Sequence, residues 1–268
     1  MADELSGRIR ALLAARGEPW PGSIESFEVI ASTNDRVKEL ARSGAAEWSV
    51  VVATHQTAGR GRQGSVWRSP PGNLALTVLL RPTLSPPQAG LIPLAAGVAL
   101  RDALAEVGVE TALKWPNDLL VADRKIAGIL AEAAWGSEGM EGVALGIGVN
   151  LQLVREELPP ELEGRTTSIA AETGQAADPA RVAAAVLAHV SVWYHALSHK
   201  GPLRVIEAWR ARSAPWWGRR VEVRLGSRVV RGVAKDIDER GALLLDAQDG
   251  GTLTVHSGEV RELRLEGN

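Results

Sequence analysis

The first segment whose residue types suggest chemistry is the run Gly-Arg-Gly-Arg-Gln-Gly at residues 59–64. Glycine lets the backbone approach a ligand closely, and each arginine presents a planar fork of donors that fits a carboxylate or a phosphate. The run also matches the G-x-G-x-x-G pattern of dinucleotide-binding folds, but Pro70 and Pro71 follow where such a fold needs a helix. Residues 83–85, about 20 positions on, lack the acidic residue of that pattern. We therefore predict an anion-binding loop, with a solvated basic surface loop as the alternative.

A second polar cluster stands in a β-hairpin predicted over residues 112–134. Only five of the 30 cationic residues are lysines, yet Lys114 and Lys125 both fall here. The arms of a hairpin lie about 5 Å apart, which would bring Asn117, Asp118 and Lys125 to one pocket. A lysine beside a carboxylate and an amide can hold a phosphate and stabilise developing negative charge. The alternatives are an exposed turn lysine and a turn-capping aspartate.

A third polar cluster, Ser32, Thr33 and Asn34, opens a helix that the pattern ends at Ser43, before Gly44. Hydroxyl and amide side chains at such a position ordinarily cap the free N–H groups of the first turn. The functional alternative is that these side chains and the helix N-terminus bind a small polar ligand.

The elements that must position these clusters indicate two domains. Helices are predicted over residues 1–17, 32–43, 88–107, 178–199 and 202–213, and strands over 27–31, 49–54, 74–81 and 143–153. Gly146 and Gly148 are expected to interrupt the last of these strands. Beyond residue 215, short alternating strands between glycine turns predict a small antiparallel barrel. We place the domain boundary near residue 215.

Composition excludes several classes of protein. Apolar residues make up 45% and charged residues 23% of the 268 residues, which is typical of a folded globular chain. Cysteine is absent, which excludes disulfides, thiolate metal sites and cysteine nucleophiles and fits a reducing cytoplasm. The net charge of −2 argues against a basic nucleic-acid-binding domain. No apolar run reaches the roughly 18 residues of a membrane-spanning helix, and the charged N-terminal segment is unlike a signal peptide.

Together the polar blocks resemble biotin protein ligases. The shared motifs are S-T-N at 32–34, Q-x-x-G-R-G-R-x-G-x-x-W at 56–67, K-W-P-N-D at 114–118, R-K-x-x-G-I-L at 124–130 and G-x-G-V-N at 146–150. Their order and spacing match that family throughout residues 30–151, and the segment ending S-G-E-V at 257–260 is similar to its C-terminal domain. The resemblance implies an α+β fold. It comprises a ligase catalytic domain over 1–215, with a mixed sheet and helices against one face, and an SH3-like barrel over 216–268.

The resemblance also implies a two-step reaction. Biotin and MgATP would form biotinyl-5′-AMP and pyrophosphate, and a lysine of a biotin carboxyl carrier protein would then attack the acyl-adenylate. The catalytic residues it implies are Arg62, Lys125 and Asp118, of which Asp118 would orient the incoming amine. The substrate-binding residues it implies are Ser32, Thr33, Asn34, Gln56, Gly59, Arg60, Gly61, Arg62, Trp67, Asn117, Lys125, Gly128, Gly146, Gly148 and Asn150. No metal ligand is assigned.

Within that set the resemblance implies separate roles. The ureido ring of biotin would meet Ser32, Thr33 and Gln56. The loop residues Arg60, Gly61 and Arg62 would close over the carboxylate and the α-phosphate. The adenine side would be held by Trp67 and the C-terminal domain, where Arg261 and Arg264 are both candidates. The three glycines Gly128, Gly146 and Gly148 would let the backbone approach biotin. Because residues 59–67 contain no acidic partner for the arginines, we expect these side chains to be solvated and the loop to be disordered without ligand.

Three further expectations follow. The strand before Ser32 begins near residue 27, which leaves no room for the DNA-binding domain of bifunctional members. The resemblance therefore predicts a monofunctional ligase that is able to form homodimers. A lipoate ligase shares the core fold, but the doubled G-R-G-R run and the missing R-R-x-x-G-G-G motif argue against it. An inactive biotin-binding regulator is the alternative outside the enzymes, and the presence of Arg62, Asp118 and Lys125 argues against it.

Overall fold

The structure is a computed structural model that describes residues 2–136, 139–152, 160–247 and 250–262. Its larger sheet is built from β1 (Ile24–Ile30), β2 (Val50–Gln56), β3 (Leu74–Leu80), β4 (Ala112–Lys114), β5 (Asp118–Val121), β6 (Arg124–Gly136) and β7 (Gly139–Val149). The strand order is β1-β2-β3-β7-β6-β5-β4. Strands β1 and β2 are parallel and every other pair is antiparallel, so the predicted mixed sheet is confirmed.

Helices cover both faces of this sheet. They are α1 (Ala2–Ala15), α2 (Thr33–Arg42), α3 (Pro86–Ala89), α4 (Ile92–Glu106), α5 (Ile169–Thr173), α6 (Pro179–Lys200) and α7 (Leu203–Arg212). The main core lies between the sheet and α1, α4, α6 and α7. On the opposite face, Val37 and Ala41 of α2 pack against Val51 and Leu79. The α+β class is therefore confirmed, but the expectation of helices on one face alone is wrong for α2. No helix of the described residues has both the length and the apolarity to cross a membrane.

Strand alternation places a strip of glycines on the face that carries α2. In β7 the side chains of Ile147 and Val149 point into the main core, so Gly146 and Gly148 face the other way. Gly148 pairs with Gly128 of β6, which extends the strip onto the next strand. Because these residues lack side chains, the sheet has a hollow there. Strand β7 runs through both glycines without a break, contrary to the predicted interruption.

Residues 112–134 form two successive hairpins where a single hairpin was predicted. Strands β4 and β5 pair first, with Lys114 opposite Asp118, and β5 then pairs with β6, which places Asp118 opposite Gly128. The chain turns at Trp115-Pro116, whose peptide bond is cis. Proline cannot donate to a strand ladder, which explains why one long arm is divided here. The outcome is that Asp118 lies one strand away from the glycine strip.

The C-terminal domain is a second, wholly antiparallel sheet. It contains β8 (Arg220–Leu225), β9 (Arg228–Ile237), β10 (Leu243–Ala247), β11 (Thr252–Val255) and β12 (Glu259–Glu262), in the order β11-β10-β9-β8-β12. A short 3-10 turn, Ala214–Trp216, precedes it, close to the predicted boundary. The indole of Trp115 donates to the carbonyl oxygen of Gly241 at 2.9 Å. This bond joins the second sheet to the turn that carries Asp118.

Candidate active site

A cavity of about 300 Å³ opens over the glycine strip. The predicted residues that line it are Ser32, Thr33, Asn34, Gln56, Arg60, Gly61, Arg62, Trp67, Asn117, Asp118, Lys125, Gly128, Gly146 and Gly148. The loop 59–67 therefore faces the K-W-P-N-D turn across one hollow. Gly59 and Asn150 instead line a neighbouring cavity of about 350 Å³. The residues that line both cavities, and at which the two chambers meet, are Gln56, Val66, Trp67 and Lys125.

Lys125 lies at this junction and forms a short ion pair with Asp118. The distance from Lys125 Nζ to Asp118 Oδ1 is 2.5 Å, and the side chains are 34% and 20% exposed. The same ammonium lies 5.3 Å from the centre of the Trp67 ring, within range of a cation–π contact. Lys125 is held by its backbone, because its N–H donates to Arg165 and its carbonyl oxygen accepts from Thr167. Among the described residues, Lys125 is the cation that lines both chambers.

Arg62 is the second cation directed at the cavity. Its Nη1 donates to the carbonyl oxygen of Gly258 at 3.1 Å, which links the loop to the C-terminal domain. Burial lowers the pKa of Arg62, while the charge of Asp118 acts in the opposite direction. An arginine remains a cation at neutral pH even so. Within the described residues Arg62 pairs with no carboxylate, so an anionic ligand would provide the missing counter-charge.

Arg60 is placed quite differently from Arg62. Its two terminal nitrogens donate to both oxygens of Asp35, at 2.7 and 2.6 Å, and Nη2 also reaches Glu132 Oε2 at 3.3 Å. The hydrogen bond from Arg60 is the main reason why the pKa of Asp35 is lowered. The expectation that both loop arginines are solvated is therefore wrong. Their partners come from α2, β6 and the C-terminal domain, none of which is near the loop in sequence.

The start of α2 forms a buried polar network at the other end of the cavity. Gln56 Oε1 accepts from Thr33 N at 2.8 Å and from Thr33 Oγ1 at 3.1 Å. The hydroxyl of Thr77 lies 2.8 Å from Thr33 Oγ1 and 2.7 Å from Asn34 Oδ1. Ser32 caps α2, since its hydroxyl accepts from the N–H of Asp35 at 3.3 Å. Ser32 thus fits the capping interpretation and lines the cavity as well.

Close neighbours leave no room for a side chain at Gly146 and Gly148 and little room at Gly128. A Cβ atom added to Gly148 would lie 2.4 Å from Trp67 Cε2, and one added to Gly128 would lie 3.2 Å from Trp67 Cζ3. At Gly146 the close neighbour is Asn34, whose Oδ1 would lie 2.2 Å from the added atom. The indole and an amide therefore occupy the surface that was expected to meet biotin. Asn150 is further away and donates to the carbonyl oxygen of Thr167 at 3.0 Å.

Sequence reasoning missed several residues that shape the cavity. These include Thr77, which joins Thr33 to Asn34, and Asp35 and Glu132, which bind Arg60. The C-terminal residues Gly258, Glu259 and Val260 also line the cavity. The S-G-E-V motif pointed to these C-terminal residues, whereas Thr77 was visible only as a lone polar residue within an apolar strand. The side chains of the two adenine candidates, Arg261 and Arg264, lie outside the described residues.

Two family profiles match this chain. One is the biotin/lipoate A/B protein ligase family, over residues 26–150, and the other is the biotin protein ligase C-terminal domain, over residues 217–261. A biotin–[acetyl-CoA-carboxylase] ligase of Mycobacterium tuberculosis is 37% identical over 267 residues, which cover 96% of this chain and 94% of that relative. The chain belongs to the biotin protein ligase family. The predicted family and fold class are thereby confirmed.

Further relatives of the ligase include longer proteins. The bifunctional ligase/repressor BirA of Bacillus spizizenii is 34% identical over 225 residues, which cover 83% of the ligase and 69% of that relative. Among solved structures, a biotin protein ligase from Aquifex aeolicus in complex with biotin and ATP matches with a TM-score of 0.77. The identity to that structure is 28%, and the match covers 91% of the ligase and 99% of the Aquifex chain.

Proposed function

We propose that this ligase activates biotin with ATP and transfers it to a lysine of a biotin carboxyl carrier protein. The observation that carries the proposal is the convergence of Arg62, Lys125 and Asp118 on one cavity, with Lys125 at the junction of two chambers. Joining a carboxylate to a nucleotide requires two anions to meet. A cation between the two binding spaces, with a second cation on the wall of the main cavity, is the arrangement that this reaction needs.

In the first step a carboxylate oxygen of biotin attacks the α-phosphorus of ATP. A bond from carboxylate oxygen to phosphorus forms, and the bond to the pyrophosphate oxygen breaks. Lys125 and Arg62 reduce the repulsion between the anions and stabilise the charge that develops on the phosphoryl oxygens. At the other end of the cavity, the side-chain oxygen of Gln56 already accepts two hydrogen bonds from Thr33. The amide nitrogen of Gln56 is therefore the group that would donate to the ureido ring.

In the second step the carrier lysine attacks the acyl carbon of biotinyl-AMP. An amide bond forms, the bond to the AMP oxygen breaks, and the amine nitrogen gives up a proton to solvent. Asp118 lines the cavity as a carboxylate acceptor, so it would orient the incoming amine by accepting a hydrogen bond. Lys125 would stabilise the negative charge on the acyl oxygen and on the departing phosphate. The same lysine would thus serve both steps.

Magnesium is expected to enter with ATP. Within the described residues, no group of three or more histidine, aspartate or glutamate side chains could hold a metal. Mg²⁺ commonly binds through one or two carboxylates together with substrate phosphates. Asp118 and Glu259 are the carboxylates that line the cavity and fit this pattern. When bound, the metal would neutralise charge on the phosphates.

The substrate is tested by supplying the ligase with ATP, a carrier domain and either labelled biotin or labelled lipoate. We expect label from biotin, and none from lipoate, on the carrier lysine. Incorporation of lipoate alone would identify a lipoate ligase. Binding of biotin without incorporation would identify a regulator. The proposal also includes action in the cytoplasm, which cell fractionation would test. It includes formation of a homodimer, which sedimentation would test.

We expect the ligase to bind no specific DNA sequence. Its net charge is −2, so the electrostatic attraction to phosphates that supports most DNA binding is weak. In a mobility-shift titration near physiological salt, binding should be no tighter than the non-specific range of roughly 10⁻⁴–10⁻⁶ M. Nanomolar binding to an operator-like duplex would contradict a purely enzymatic role.

We expect biotinyl-AMP to increase the protection of the backbone amides of residues 59–67. Two hydrogen bonds already cross the loop, from Gly61 N to Ser65 O at 2.7 Å and from Trp67 N to Gly59 O at 3.0 Å. A bound adenylate would add an anion for Arg62 and an apolar surface for Trp67. Ordering of the loop costs roughly 1–2 kcal/mol per residue. Because biotinyl-AMP supplies contacts that offset this cost and biotin alone lacks the nucleotide that makes them, biotinyl-AMP should bind more tightly than biotin.

Amide hydrogen exchange with and without biotinyl-AMP measures this effect. The amides of β3 serve as the internal reference, because every residue of that strand is buried. Equally strong protection of the loop in both states would mean that it is preformed, and the ligand-dependent closure would then be discarded.

A further inference from the structure

We propose that Asp35 and Glu132 are positioning residues that hold Arg60, and that Arg60 anchors the loop 59–67 so that Arg62 can bind the anionic ligand. The proposal rests on the function proposed above and divides the two loop arginines by role. It replaces the expectation that both of them close over the carboxylate and the phosphate. Asp35 and Glu132 were outside every motif that the sequence singled out.

The first observation is that the Arg60 guanidinium is already engaged by protein. Asp35 accepts from both terminal nitrogens, and Glu132 accepts from one of them. A bidentate arginine–carboxylate pair has a fixed geometry and is stronger than a neutral hydrogen bond. The three side chains are 26% to 48% exposed, so the pair is only partly screened by water. A ligand that recruited Arg60 would first have to break these bonds.

The second observation is that the acidic residues are fixed by further contacts. Glu132 Oε2 accepts from Asn34 Nδ2 at 2.7 Å, and its other oxygen lies 3.0 Å from Lys38 Nζ. Burial is the largest influence on the pKa of Glu132 and raises it, but bonds from Asn34 and Lys38 outweigh this effect and lower the pKa. Glu132 is therefore ionised at neutral pH. Lys38 also lies 3.5 Å from Asp35, so two acids and two cations balance one another.

The third observation is that Arg62 lies on the same short loop without a carboxylate partner within the described residues. Its side chain lines the main cavity and reaches the C-terminal domain through Gly258. Arg60 is held by Asp35 and Glu132 and Arg62 contacts Gly258, so the loop is attached on both sides of the cavity wall that it forms. Anchoring at Arg60 therefore fixes the position from which Arg62 meets the ligand.

The proposal is tested by a mutant cycle on the dissociation rate of biotinyl-AMP. The variants are Arg60→Ala, the isosteric pair Asp35→Asn with Glu132→Gln, and the triple variant. The isosteric pair keeps acceptor oxygens for Asn34 but removes the charges that hold Arg60. Loss of hydrogen bonds to a charged group is worth roughly tenfold or more, so both Arg60→Ala and the isosteric pair should speed dissociation at least tenfold. The triple variant should be no faster than the isosteric pair, within about threefold.

Two results would contradict the anchoring role of Arg60, and a third would count against the proposed function. If Arg60→Ala still speeds dissociation tenfold in the background of the isosteric pair, Arg60 contacts the ligand directly and the anchor is wrong. The anchor is also wrong if the isosteric pair dissociates biotinyl-AMP at the wild-type rate. Failure of the wild-type ligase to retain biotinyl-AMP would instead count against the proposed function.

A matched control and a second readout guard against a general loss of stability. Glu25 of β1 accepts from Arg36, the neighbour of Asp35 on α2, in a bidentate pair at 2.9 and 3.0 Å. Neither residue lines the cavity, so Glu25→Gln should leave the dissociation rate unchanged. The second readout is amide exchange in the ligand-free Asp35→Asn variant, which removes the charge that binds both terminal nitrogens of Arg60. We expect faster exchange at residues 59–67 and unchanged exchange in β3. Unchanged exchange in the loop would contradict the anchor even if the paired variant failed to fold.

Discussion

Replacement of Lys125 by alanine is expected to lower the rate of carrier biotinylation by roughly 10²–10³-fold while leaving the ligase folded. The reason is its position at the junction of the two chambers, where negative charge accumulates in both steps. The side chain is 34% exposed and packs at the surface of the cavity, so its removal creates no void in the main core. Single-turnover formation of biotinyl-AMP and its transfer to carrier should both slow down.

Two variants give this prediction its controls. Lys125→Arg keeps the charge and should retain more activity than the alanine variant. It should not reach wild-type activity, because a planar guanidinium cannot reproduce the contact of the ammonium with Asp118. Lys235→Ala removes another lysine–aspartate pair, formed with Asp246 at 3.0 Å in the C-terminal domain, and should act like wild type. Steady-state biotinylation by Lys125→Ala within a few-fold of wild type would remove Lys125 from the mechanism.

Replacement of Arg62 by alanine is expected to cost a similar factor of roughly 10²–10³ and, in addition, to release the intermediate. Arg62 is the loop cation without a carboxylate partner among the described residues, and it also binds the carbonyl oxygen of Gly258. Its loss removes both the counter-charge for the adenylate and the hydrogen bond that joins the loop to the C-terminal domain at the cavity wall. Water can then reach the mixed anhydride. Pyrophosphate release should therefore exceed carrier biotinylation.

The measurement is the ratio of pyrophosphate formed to biotin transferred. Arg42→Ala is a suitable control, because Arg42 also donates to a backbone carbonyl, that of Lys38, but lies on the exposed end of α2. This control should keep the two products in equal amounts. Retention of both the wild-type rate and the wild-type ratio in Arg62→Ala would show that Arg62 does not act on the adenylate.

Much of the site could be predicted from the sequence because its residues lie in short blocks. The loop 59–67 and the K-W-P-N-D turn each carry several polar groups within a few positions, so their chemistry is legible before any fold is known. The proline in that turn also marks the place where the backbone must reverse. Local residue types therefore located the cavity. They did not show that residues 112–134 form two hairpins, where a single hairpin was predicted.

The partners of the loop could not be predicted in this way. Arg60 is 25 positions from Asp35 and 72 from Glu132, and only the crossing of α2 over β6 brings the three together. The face on which α2 packs depends on alternation in β2 and β3, strands that are buried on both sides and give no amphipathic signal. Thr77 was missed for the same reason, because a single hydroxyl in a buried strand shows its role only once its neighbours are placed.

The most direct test of the proposed reaction is a two-stage transfer. The ligase is incubated with labelled biotin and MgATP without carrier, freed of small molecules by gel filtration, and then mixed with carrier in the absence of ATP. The account predicts that label stays with the ligase as biotinyl-AMP and then appears on the carrier lysine, with release of one AMP per biotin transferred. A requirement for fresh ATP in the second stage, or label that cannot be transferred, would contradict it.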